Sequence, residues 1–118
     1  MRPDPSGHAV VYEVDLSVEE GIAVAYLRWL REHVEAMLAL PGFLAAELFE
    51  VLDPVEPGYR RWCVVYRLED RAALERYLAC DAPRMREEGL RRFGGRFQAR
   101  RRIMEGLHAS PMPPGDPG

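Results

Sequence analysis

The residue in this sequence best placed to do chemistry is His33. At about 100° per residue along a helix, Ile22, Tyr26, Trp29, His33 and Met37 fall in one narrow stripe. Leu30 and Val34 flank it, while Arg28, Arg31, Glu32 and Glu35 take the opposite side. An imidazole titrates near neutrality, so in such company it can accept a proton from a ligand or anchor it by a hydrogen bond. A neutral core histidine that donates to a backbone carbonyl or a tyrosine hydroxyl meets the same spacing. Tyr26, Trp29 and Met37 beside it, with Trp62, Tyr66 and Tyr12 from strands, are candidate walls of a small-molecule pocket. The same aromatic set also serves as plain core.

Other candidate groups carry less. Glu13 and Asp15 are spaced i, i+2 on one strand face, but no histidine or third acid stands at metal-ligand spacing. They read as partners for Arg61, Arg67 or Arg101 across an interface. Cys63 and Cys80 are far from any CxxC spacing and read as reduced, packed thiols, so no metal and no cofactor is expected. The run FGGRF (Phe93–Phe97) follows a helix and precedes a strand, the reverse of a phosphate loop, and its glycines read as a helix stop. His8 and His108 lie near the ends and receive no role.

The elements that must position these groups follow from periodicity and punctuation. Ala9–Leu16 alternates as a strand, with Val10, Tyr12, Val14 and Leu16 on one face. Ser17 with Glu20 reads as a capping box, opening a helix that Pro41-Gly42 ends near Leu40. Leu44–Leu52 and Arg60–Leu68 read as strands around the DPVEPG turn. Asp70 caps a helix over Arg71–Ala79, which Asp81 and Pro83 restart toward Gly94-Gly95, and Arg96–Met104 is the last strand. The order βαββαβ predicts a ferredoxin-like α+β fold. Right-handed crossovers put two helices on one face of an antiparallel sheet, with strands one and three central.

The chain has 118 residues and a net charge of −3, with 47% hydrophobic and 30% charged residues. That is one domain, expected over 9–106 between a loose N-terminus (1–8) and a Pro/Gly-rich tail (107–118) too poor in apolar residues to pack. All sixteen basic residues are arginine, which reads as compositional bias of the coding genome. No run is long enough to cross a bilayer, and MRPDPSGH lacks the apolar segment of a secretory signal. No membrane contact and a cytoplasmic home are expected. Residues 1–58 carry eleven acids and three arginines, residues 59–118 eight acids and thirteen arginines. Such asymmetry reads as a basic surface for an anionic partner or as two complementary halves of one fold, and the second is the commoner.

Neither face of the strands is convincingly polar. Cys63 and Val65 lie between Arg61 and Arg67, and in the second strand Phe43, Ala45, Phe49 and Val51 oppose Leu44, Ala46, Leu48 and Leu52. A second half-apolar face calls for a cover, and a second copy of the same sheet is the economical one, giving a homodimer through the sheet face.

The runs AYLRWLREHVEAMLALPGFLAAELFEV, WCVVYRLEDRAALERYL and APRMREEGLRRFGGRF resemble a bacterial family of small domains of unknown function. That family is grouped with the dimeric α+β barrel superfamily, beside antibiotic-biosynthesis-monooxygenase-like proteins, and the likeness spans roughly Val10–Ile103. It implies a homodimer with sheets face to face and a pocket in each subunit between helices and sheet. Some members of the superfamily oxidise polycyclic aromatics without a cofactor and some degrade heme; no catalytic motif of either is recognisable here.

The function expected is binding or oxidation of a small apolar or aromatic molecule between helix one and the sheet. The alternative is a non-catalytic dimeric regulatory or interaction module. Nucleic-acid binding, prompted by eight arginines between Arg84 and Arg102, is disfavoured. Strand three lacks the aromatic signature of RNA-recognition domains, and Glu13 and Asp15 would repel phosphate.

Overall fold

The computed structural model describes residues 9–110. Four strands, β1 (Val10–Glu19), β2 (Phe43–Glu50), β3 (Tyr59–Leu68) and β4 (Phe97–Glu105), form one sheet in the order β2-β3-β1-β4. Every pairing is antiparallel. Helix α1 (Ala23–Leu38) connects β1 to β2. A second helical arm, α2 (Arg71–Arg76) and α3 (Ala82–Phe93), connects β3 to β4. This is the ferredoxin-like α+β arrangement, with β1 and β3 central as the element order predicts.

One face of the sheet packs on the helices. Val10, Tyr12, Leu16 and Val18 of β1 join Trp62, Val64, Tyr66 and Leu68 of β3 in a continuous core with Tyr26, Leu30, Val34 and Met37 of α1. Burying each such side chain stabilises the fold by about 1.5–3 kcal/mol. The strict alternation of β1 and β3 made this face readable.

Several boundaries differ from the sequence reading, each for a physical reason. Ser17 and Glu20 form no capping box. Ser17 continues β1 opposite Arg61, Val18 is fully buried opposite Phe97, and a 3-10 turn (Glu20–Ile22) leads into α1 with no side-chain cap. The pull of Val18 into the core outweighs a local cap contributing about 1 kcal/mol. In β2 the register shifts between Phe43 and Ala45, leaving Leu44 as an extra residue. This bulge splits the row Phe43, Ala45, Phe49: Phe43 faces the helices with Ala46 and Leu48, whereas Ala45, Glu47 and Phe49 face away.

The second helical arm does not break before Pro83. Asp70 caps α2 by accepting from the Ala73 backbone N–H at 2.8 Å. One π turn (Tyr77–Asp81) then links α2 to α3. Proline lacks an N–H and clashes with the carbonyl four residues back, and the wider turn gives that carbonyl room. Gly42 closes α1 with φ +84°, and a Cβ there would meet the Ala73 Cβ at 2.4 Å. Only glycine fits both the left-handed backbone and the close approach to α2.

Residues 106–110 have no regular secondary structure, though the Gly106 N–H donates to the Ala9 carbonyl at 2.8 Å. The readings made for 1–8 and for the end of the tail lie outside the described residues.

Candidate functional site

A cavity of about 340 Å³ lies between the helix-facing side of the sheet and the roof formed by α1 and α3. Helix α1 contributes Tyr26, Trp29, Leu30, His33 and Met37; the sheet contributes Tyr12, Val14 and Leu16 from β1 and Val64 and Tyr66 from β3. Of the residues singled out from sequence, His33, Tyr26, Trp29, Met37 and Tyr66 are therefore brought together on one space. Trp62 is not. It is buried under Tyr26, ring parallel to ring with centroids 6.2 Å apart, and supports the cavity wall from behind. Ile22, expected in the stripe, falls in the 3-10 turn before α1.

His33 sits on the flank of α1, half-buried, stacked on Trp29 with centroids 4.7 Å apart. It makes no hydrogen bond among the described residues. Burial pushes its pKa down to about 4, the nearby Arg101 charge lowers it further, and Glu88 opposes both. The ring is thus neutral near pH 7. Trp29 approaches α3 closely because residue 89 is glycine: a Cβ there would meet the Trp29 ring at 2.7 Å.

Two cationic groups stand at this cavity that the sequence reading does not place there: Arg86, and Arg101, which reads from sequence as a partner for Glu13 or Asp15 but lies on the other face of the sheet. Arg86 of α3 lines the cavity and donates from Nη2 to the Tyr12 hydroxyl at 2.8 Å, while its Nε–H, out of contact with solvent, has no partner among the described residues. Arg101 of β4 lines it from the open edge. Both were legible in principle. Arg101 occupies the helix-facing row Phe97, Ala99, Arg101, Ile103 of β4, and Arg86 lies in the stripe Ala82, Arg86, Gly89, Phe93 at helical spacing. Tyr77, on the π turn, completes this end of the cavity. Burial raises the pKa values of Tyr26, Tyr66 and Tyr77, the last to about 12, so these phenols stay protonated.

The opposite face of the sheet holds the carboxylate pair. Asp15 pairs with Arg61 and Glu13 with Arg102, all within one chain and not across an interface. The Cys63 thiol donates to Glu13 Oε1 at 3.2 Å, and burial followed by the Glu13 charge pushes its pKa up to about 12. Among the described residues no group of three or more His, Cys, Asp or Glu side chains is placed to hold a metal ion, and no helix is long and apolar enough to cross a membrane.

The family model of a domain of unknown function (DUF4286) matches residues 9–107. No curated protein matches this chain. Among solved structures, a single-residue variant of SnoaB, a cofactor-independent oxygenase from Streptomyces nogalater, is similar at 16% identity. It superposes with a TM-score of 0.65, covering 86% of this chain and 97% of its own. An antibiotic biosynthesis monooxygenase candidate from Nitrosomonas europaea shares 18% identity, with a TM-score of 0.65 over 89% of this chain and 96% of that one. A further such candidate, from Deinococcus radiodurans, shares 16% identity, with a TM-score of 0.63 over 91% and 99%. At these identities the likeness is one of fold. A match over nearly the whole described chain makes the protein a member of the DUF4286 family, with the ferredoxin-like α+β fold that these solved structures share.

Proposed function

We propose that this protein binds a small aromatic molecule in the cavity beneath α1 and α3, with His33 as its polar contact. The observation that carries this reading is the cavity itself. It is a space of about 340 Å³ with aromatic walls and a neutral, unpartnered imidazole at its rim. Ligand sites are typically of about 300–1,000 Å³, mostly apolar, with few polar groups that fix orientation.

Oxidation is the finer reading, and SnoaB's description as a cofactor-independent oxygenase is what suggests it. Chemistry of that kind needs a substrate that gives up a proton before it meets oxygen. A histidine with a pKa near 4 is a weak acceptor for that proton. An anionic oxygen docked beside it would raise the pKa again and restore the base. Binding therefore comes first in the argument, and turnover depends on what binds.

The working unit in this reading is a homodimer joined through the outer sheet face, where Val11, Val65, Phe49 and Met104 lie among ion-paired charges. Glu13 and Asp15 at the centre of that face disfavour a nucleic acid there.

The test is a ligand screen by thermal shift on wild type and His33→Ala. Polycyclic phenols are expected to raise the melting temperature of the wild type and to lose at least half of that shift in the variant. Equal shifts in two folded proteins would remove His33 from the site.

A further inference from the structure

We infer that the cavity is an anion-selective site, whose ligand is an aromatic carboxylate seated on the Arg86 guanidinium and steered by Arg101. This rests on the proposed binding function and names its ligand class. Three observations carry it.

First, among the described residues two guanidiniums line the cavity and no carboxylate does. Neither Arg86 nor Arg101 takes part in an ion pair among the described residues, although Arg60, Arg61, Arg92, Arg96 and Arg102 each find a carboxylate. The charge facing the space is therefore uncompensated, within walls of low polarisability that strengthen its field.

Second, Arg86 is held in place with donors to spare. Its Nη2 donates to the Tyr12 hydroxyl, while Nε–H is cut off from water with no acceptor among the described residues. An enclosed donor without a partner is destabilising, and a planar carboxylate is the acceptor that a guanidinium fork fits best.

Third, the rings around Arg86 specify what carries the carboxylate. Tyr12 packs against Tyr66 and Tyr77, with centroids 6.1 Å and 5.8 Å away, and all three line the cavity. Burial keeps the Tyr66 and Tyr77 phenols protonated, so neither brings a negative charge to the cation. His33, which lines the same space, then meets the aromatic body of the ligand or a hydroxyl on it.

The experiment uses 2-naphthoate and its neutral counterpart 2-naphthamide, titrated calorimetrically into the full chain. Wild type is expected to bind the naphthoate at least about tenfold more tightly, the discrimination of one charge-assisted hydrogen-bonded pair. Arg86→Met should remove most of that preference, with naphthoate losing far more affinity than naphthamide. Arg86→Lys should restore part of it as a point charge without the fork. Arg101→Met should lower naphthoate affinity severalfold. If Arg86→Met does not fold, as judged by circular dichroism, the Arg86→Lys and Arg101→Met pair decides: unchanged preference in both overturns the inference. Equal binding of both compounds by the wild type overturns it while leaving the cavity as a binding site. Failure of both compounds to bind overturns the cavity reading, and the inference with it.

Discussion

On the helix-facing side of the sheet, β1 and β3 present Val10, Tyr12, Leu16, Trp62, Val64 and Tyr66, none more than 3% exposed. On the opposite side the same two strands present Val11, Glu13, Asp15, Arg61, Cys63 and Val65, all only partly covered. Each position differs from its neighbour by one residue, and the two faces solve different problems. The inner face excludes water by apolar mass and keeps its polar groups, His33, Arg86 and Arg101, at the rim of one cavity. The outer face balances its charges in the plane: Asp15 against Arg61 and Glu13 against Arg102, with the Cys63 thiol donating to Glu13. Exposed pairs of this kind add little to stability. What they do is lower the electrostatic cost of covering the face, because the charges are already neutralised before a second surface arrives.

The sharpest way to strain this comparison is truncation of one ring on each side. Trp62→Ala on the inner face should cost about 3–5 kcal/mol, since the side chain is 2% exposed and a cavity would remain. Phe49→Ala on the outer face, where the ring is 44% exposed, should cost less than about 1 kcal/mol at low protein concentration. Denaturant unfolding of the two variants measures both. Similar losses would mean that the outer face is as much a core as the inner one.

The inner face was legible because its signal is doubled: alternation in β1 and β3 and the helical stripe of α1 point to the same layer. Sequence periodicity therefore located the sheet order, the helix-facing rows and the grouping of His33 with Tyr26, Trp29 and Met37. It failed where a tertiary preference overrode a local one. Ser17 carries a helix-start pattern, yet Val18 beside it is worth more in the core. Leu44 sits in a strand of even spacing, yet a bulge shifts it out of register. Arg86 reads as solvated helix surface and Arg101 as a partner for the β1 carboxylates, because charge on a helix or a strand edge points outward by default. Only the row or stripe each one occupies reveals it as inward, and Trp62 was grouped with the pocket because residue type alone does not separate a wall from its backing.

His33 sharpens the inner-face side of the comparison, because its titration reports on burial there. In the unfolded chain it takes up a proton near 6.5, and in the folded protein not until about 4. Between those values the unfolded state binds more protons, so stability falls as pH drops through the window. The loss should be about 2 kcal/mol after allowance for partial exposure. His33→Gln should flatten that slope while leaving stability above the window little changed, as read by urea titrations across it. An unchanged slope would mean that the imbalance in proton uptake arises elsewhere.

The smallest effect tests the outer face. Cys63 lies at its centre and Cys80 lies exposed on the π turn of the helical arm, so the two thiols report on different sides of the molecule. With its pKa near 12, Cys63 should react slowly with a thiol reagent under all conditions, for want of thiolate. If a second copy covers the outer face, a Cys80→Ser variant should gain a further protection of about tenfold at high protein concentration and lose it on dilution. A Cys63→Ser variant, labelled at Cys80, should show no such dependence. Dilution-independent labelling of Cys63, together with sedimentation as a single 13.5 kDa species, would mean that the in-plane ion pairs make a face suited to water. The contrast between the two sides would then be the ordinary one between core and surface.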